Sequence, residues 1–276
     1  WYTRTTQNRV SQGMRVRVPP PAPDSMDPIY SSALVLYLFS SFLGVSNMIL
    51  WGLYGDLLVE NFDVKKVFRS LVFGLVAGCF FYLLNDSLPL LLVALSAIAI
   101  ERLLTEMYKA LWRLEDQSKY KIPSDLGIRC NVLTRRIVFL FLVLVLFFVL
   151  WNVAVTVSGI VAGLLVGLCV AIGGAMKDAP YEGFQPIKFL RSPVIALLSG
   201  LLLVFLFPNT PGLFFLLGVG GLERIVSEFY KKIVRGRIPG KFRESLKENA
   251  SWRKNRKYLL VLYVTDIVAL FDLLFI

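Results

Sequence analysis

The sequence predicts an all-α polytopic membrane protein, with about eight transmembrane helices in two parallel four-helix repeats. Three observations carry this. Hydrophobic residues make up 56% of the 276 and mean hydropathy is +0.65, far above the balance of a soluble domain. The polar residues recur at a constant offset of 122, from Asp56 and Asp178 through Arg113 and Arg235. The basic residues fall on one side of the expected spans.

The repeat centres on 173–192, GGAMKDAPYEGFQPIKFLRS, and its earlier copy 52–70, GLYGDLLVENFDVKKVFRS. Glu60 matches Glu182, Phe62 matches Phe184, Lys66 matches Lys188, and Arg69-Ser70 matches Arg191-Ser192. Further on, Pro89 pairs with Pro211, Glu101-Arg102 with Glu223-Arg224, Glu106 with Glu228, and Tyr108-Lys109 with Tyr230-Lys231. A periodicity of this kind decides the architecture before any local reading. The expected units are 26–156 and 157–276, preceded by an extension over 1–25.

In chain order, a first helix is expected over about residues 29–53, long enough to span. A second covers about 64–84, and Asn-Asp-Ser-Leu-Pro at 85–89 makes a tight turn. A third begins near Pro89, leaves its apolar zone at Glu101 and stays helical to Arg113; a polar connection follows over 117–134, then a fourth helix over about 136–155. The second half repeats this over about 160–176, 191–207, 211–235 and 256–276. Pro180 and Gly183 point to a loop or broken helix after the fifth helix. Small-xxx-small spacings at Gly74 and Gly78, Gly163 and Gly167, and Ala196 and Gly200 predict close helix contacts.

Of the 30 Lys and Arg, Arg4, Arg9, Arg15 and Arg17 lie in the first 25 residues. With eight spans the other 26 all fall in alternate connections, and the opposite turns at 85–89, 156–159 and 208–212 contain none. The positive-inside rule then makes the basic side cytoplasmic and both termini external, in the cell membrane. An arginine-rich external tail would break that rule. Arg-Val-Arg-Val-Pro at 15–19 is also encodable by the T-loop of a transfer RNA gene, so translation is expected to start at Met26. There is no histidine, which excludes His-ligated haem, His-ligated metal and Ser-His-Asp chemistry. Three widely spaced cysteines make no disulfide framework or CxxC site. The expected partners are membrane lipids, not nucleic acid.

Asp56/Glu60 and Asp178/Glu182 are carboxylates four residues apart beside a cytoplasmic helix end. On a helix each pair shares a face and could hold Mg²⁺ together with a substrate phosphate. Lys66, Arg69, Lys188 and Arg191 follow closely and suit phosphate oxygens. Equally, the acids could pair with those bases and pin the helix ends. Glu101 and Glu223 sit where the third and seventh helices leave the membrane and are candidates for an inward-facing acid. The ladders from Arg102 and Arg224, through Glu106 and Glu228, read as i,i+3 and i,i+4 pairing. Asp266 has no counterpart in the first half and lies nine residues past Lys257, about 13 Å into hydrocarbon. An acid there is costly and is a functional candidate, with Ser40, Ser41, Ser46, Asn47 and Asn152 as possible partners and Tyr263 and Thr265 near it in sequence.

The layout resembles the intramembrane polyprenyl transferases of the UbiA superfamily. KDAPYEGF followed by an Arg-Ser-Pro helix start is similar in flavour to that family's second acidic motif. Here D-x-x-x-E replaces NDxxDxxxD and the family's first helix is absent. The resemblance implies a Mg²⁺-dependent transferase acting on a polyprenyl diphosphate, with Asp56, Glu60, Asp178 and Glu182 holding metal and Lys66, Arg69, Lys188, Arg191, Glu101 and Glu223 binding substrate. Beside it stand a transporter or channel with a pathway between the halves, centred on Asp266, and a membrane scaffold without catalysis.

Overall fold

The computed structural model describes residues 28–59, 61–113, 121–122, 131–152, 158–208, 210, 212–234 and 250–276. The 1–25 extension, Met26 and Glu60 lie outside the described residues. The described residues form eight α-helices and no strand: α1 (Pro28–Asp56), α2 (Val64–Leu84), α3 (Leu90–Met107), α4 (Val132–Asn152), α5 (Gly159–Glu182), α6 (Pro186–Leu206), α7 (Gly212–Phe229) and α8 (Ala250–Asp272). Single π-helical turns, Tyr108–Trp112 and Tyr230–Val234, extend α3 and α7. Five helices, α1, α2, α4, α5 and α6, are long and apolar enough to cross a membrane. In α3 and α7 the last two turns carry two acids and an arginine each, at Glu101, Arg102 and Glu106 and at Glu223, Arg224 and Glu228. That is what shortens their apolar length.

Local chemistry sets the helix ends. The Asp63 carboxylate accepts from Lys65 N at 2.9 Å and starts α2 as an N-cap. Asn85 Oδ1 accepts from Ser87 N at 3.0 Å and Ser87 Oγ at 2.7 Å, which closes the α2–α3 turn. Tyr37 of α1 straps that turn down: its hydroxyl donates to Asn85 O at 2.9 Å and accepts from Leu88 N at 2.7 Å. The second acidic stretch departs from expectation. α5 does not break at Pro180 but runs on to Glu182, and Gly183 ends it at φ 75°. A proline this close to the end forfeits one hydrogen bond, and the left-handed cap then needs a glycine. α6 also begins earlier than expected, because Pro186 at its first position is pre-set for helix.

The centre of the fold is the α3–α7 pair, with α1 and α2 packed on one side and α5 and α6 on the other. Val93, Ala94, Ala97 and Ile98 of α3 are fully buried. A Cβ on Gly221 would strike the Leu95 carbonyl, so α7 lies directly on the α3 backbone. α5 and α6 meet as closely: Gly163 lies on the backbone of Ala196 and Leu197, and Gly167 on Pro193. Lipid supplies no hydrophobic drive between helices, so backbone approach of this kind holds the pair. α4 is the outlier, burying only Phe139 and Leu150. It leans on Trp112 through Phe139, with ring centroids 5.4 Å apart, and on Phe80 of α2 through Phe147 at 4.6 Å. α8 crosses over to pack on α1.

Gly167→Val is expected to cost about 1–3 kcal/mol by overpacking against Pro193. Gly174→Ala, with nothing within 4 Å of an added Cβ, is expected to be neutral or mildly stabilising. Thermal unfolding of the purified protein in detergent compares the two. Equal behaviour would remove the close-approach account of α5 and α6.

Candidate functional site

The second acidic motif is a clamp around one lysine. Asp178 and Glu182 lie one turn apart on α5, and Lys188 Nζ sits 2.5 Å from Asp178 Oδ2 and 3.1 Å from Glu182 Oε2. Lys121 approaches Glu182 Oε1 at 3.5 Å. In the first motif, Asp56 closes α1 and Asp63 is spent on the α2 cap. Among the described residues no three Asp, Glu, Cys or His side chains gather closely enough to hold a metal ion. A cation held by Asp178 and Glu182 would have to displace Lys188 from both carboxylates.

Repeated contacts line the ends of α3 and α7. Arg69 stacks over the Tyr108 ring at 5.0 Å, and Arg191 over Tyr230 at 5.9 Å. Glu101 is buried and accepts from Ser70 at 2.6 Å and Thr105 at 2.8 Å. Glu223, only 2% exposed, accepts from Ser227 at 2.6 Å. Below these, Glu106 takes Lys109 and Lys177, each at 2.9 Å. Glu228 is more crowded still: Arg224 pairs with it, Lys231 lies at 3.3 Å and Lys232 at 3.2 Å. Lys232 also donates to the Trp51 carbonyl near the end of α1, a helix whose own last turn carries no base. Burial pushes the Lys232 ammonium below its ordinary value, while Glu228 and Asp56 pull it back up.

Asp266 stands apart from this charged layer. It is buried between α8 and α1, where the Ser46 hydroxyl donates to Oδ1 and Asn47 Nδ2 donates to Oδ2 at 3.0 Å. Asn47 is fully buried, and its Oδ1 has no hydrogen-bond partner. Of the other partners foreseen, Ser40 bonds the Leu90 carbonyl and Asn152 bonds Phe148 in its own helix. Thr265, foreseen beside Asp266, turns back to the Val261 carbonyl. One turn toward the basic side, Tyr263 is buried against Trp51, with ring centroids 4.0 Å apart. Polar groups therefore run from Asp266 and Asn47, past Tyr263 and Trp51, to Lys232 and Glu228.

No family model, no curated protein and no solved structure matches this chain. Three participants escape the sequence reading: Lys232, Lys177 and Trp51. Their trace was there as departures from the repeat, since Lys232 answers to Ala110 and Lys177 to Gly55. Both of these lysines, like Lys121, reach partners distant in the sequence.

Glu228→Gln is expected to cost about 3–5 kcal/mol, because it strands buried cations. Lys231→Gln removes a charge that is 37% exposed and should cost less than about 1 kcal/mol. Unfolding midpoints of the two variants in the same detergent test this, and a Glu228→Gln midpoint close to that of the parent would refute it.

Proposed function

We propose that this chain is a proton-translocating membrane transporter, acting alone or coupled to a solute, with Asp266 as its proton-binding group. The observation that carries the reading is the burial of Asp266 between α8 and α1, where its donors among the described residues, Ser46 and Asn47, are uncharged. Among the described residues no cation pairs with this carboxylate to lock it in one charge state. Tyr263, Lys232 and Glu228 supply polar steps toward the basic face.

The architecture that goes with this reading is eight spans in two parallel four-helix repeats, with basic loops in the cytoplasm of a cell and both termini outside. Two features support duplication. The bounds of α2 and α6, and those of α3 and α7 with their π turns, are each 122 residues apart. The Arg69–Tyr108, Glu101–Thr105 and Glu106–Lys109 contacts also recur at that offset. The pathway would then lie where α8 of one repeat meets α1 of the other.

The polyprenyl transferase reading keeps the resemblance in layout and the bases Lys66 and Arg69 in its favour. Its second acidic motif is already neutralised by Lys188, so it ranks below transport. Mg²⁺-dependent prenyl transfer that vanishes in Asp178→Asn would reverse that order.

In liposomes loaded with a pH-sensitive dye, an imposed gradient should drive proton entry through the parent protein. Asp266→Asn and Asp266→Leu should both fall to the level of empty liposomes, with the leucine variant no less stable because a buried polar group is gone. Asp178→Asn should retain flux. Parental flux in both Asp266 variants would leave the residue as a structural clamp between α1 and α8.

A further inference from the structure

The Asp266 site brings together more oxygen than the hydrogens around it satisfy. Ser46 carries one hydroxyl hydrogen and has two acceptors within reach, the Leu43 carbonyl at 2.8 Å in its own helix and Asp266 Oδ1 on α8. Whenever that hydrogen is given to Leu43, Ser46 Oγ and Asp266 Oδ1 face each other as two bare oxygens. Asn47 repeats the imbalance. Its Nδ2 donates to Asp266 Oδ2 at 3.0 Å, while Oδ1 of the same amide is buried and accepts no hydrogen bond. Tyr263, a turn away on α8, acts on that amide too. Buried oxygens gathered without hydrogens between them are held by a proton or by a cation.

Charge and donor type narrow the choice of cation. Among the described residues Asp266 is the one carboxylate that Ser46 and Asn47 contact. Between its ends α1 carries no charged residue, α3 is uncharged up to Glu101, and the nearest ionisable group in α8 is Tyr263, a phenol that is neutral at physiological pH. One negative charge balances one monovalent cation, whereas a divalent ion would leave a net charge in a buried place. The donors are hard oxygens, with no sulfur or imidazole to favour a transition metal. They sit within hydrogen-bond distance of the carboxylate, so the space suits a small ion. We propose that Asp266, Ser46 and Asn47 form a binding site for Na⁺, which competes with the proton for Asp266. Ser46 then points its hydrogen to Leu43 and offers its lone pairs, Asp266 offers its carboxylate, and Asn47 offers Oδ1. The inference deepens the transport reading and rests on it: the solute coupled to the proton is a sodium ion, exchanged for it at the same carboxylate.

The test is isothermal titration calorimetry of the full chain in non-ionic detergent, with NaCl titrated against choline chloride at constant ionic strength. At alkaline pH a saturable heat of Na⁺ binding is expected, and its apparent affinity should fall as the pH is lowered, since proton and cation share Asp266. Asp266→Asn should abolish the heat. Ser46→Ala and Asn47→Leu should each lose about tenfold in affinity, as removal of one neutral ligand implies. Asp272→Asn, which removes an exposed acid at the end of the same helix, should bind as the parent does. Circular dichroism establishes that each variant is folded, and Ser46→Ala, the smallest change, decides the matter where the others are not. No saturable heat in the parent, an equal heat with KCl, or parental affinity in Asp266→Asn or Ser46→Ala would overturn the site. The two readings fail separately. Proton flux without a Na⁺ heat removes the sodium site and leaves the proton pathway, and a Na⁺ heat without flux removes the transport and leaves the site.

Discussion

Once a carboxylate leaves water, its charge has to be answered by groups of the protein itself, and much of this structure follows from that requirement. Glu228 is answered by Arg224, Lys231 and Lys232, and through Lys232 the seventh helix is tied to the first. Glu106 is answered by Lys109 of its own half and Lys177 of the other. Glu101 and Glu223 are answered by hydroxyl groups. The acids at the ends of α3 and α7 thus act as fasteners between elements that glycine contacts bring together. Removing an acid at such a place does more harm than removing one of its cations, since several charges are stranded together.

Some contacts recur at the 122-residue offset. The arginine–tyrosine stacks and the glutamate–hydroxyl bonds do so. Lys188 is clamped by Asp178 and Glu182. Asp266 belongs to the last helix only.

Helix existence was legible in the sequence because apolar length and charge punctuation are local properties. The second, third, sixth and seventh helices also follow from the 122-residue offset. What was not legible depended on geometry across the chain. Pro180 and Gly183 read as a break, yet a proline that precedes a cap by three residues leaves the helix intact. Asp178 and Glu182 read as metal ligands or as pins, and the position of Lys188 between them comes only from the fold. Ser46 and Asn47 were among several polar groups on α1. Choosing them required the rotation of α8 against α1, which no local pattern encodes.

That last contact has a consequence for how the molecule is made. Ser46 and Asn47 are separated from Asp266 by 220 and 219 residues. At about 5–20 residues per second, α1 is synthesised roughly 10–40 s before its partner helix exists. Throughout that interval the hydroxyl and amide of α1 stand in the nascent membrane assembly without the carboxylate that will engage them. Completion of this contact therefore waits on α8, whose arrival joins two helices far apart in the sequence.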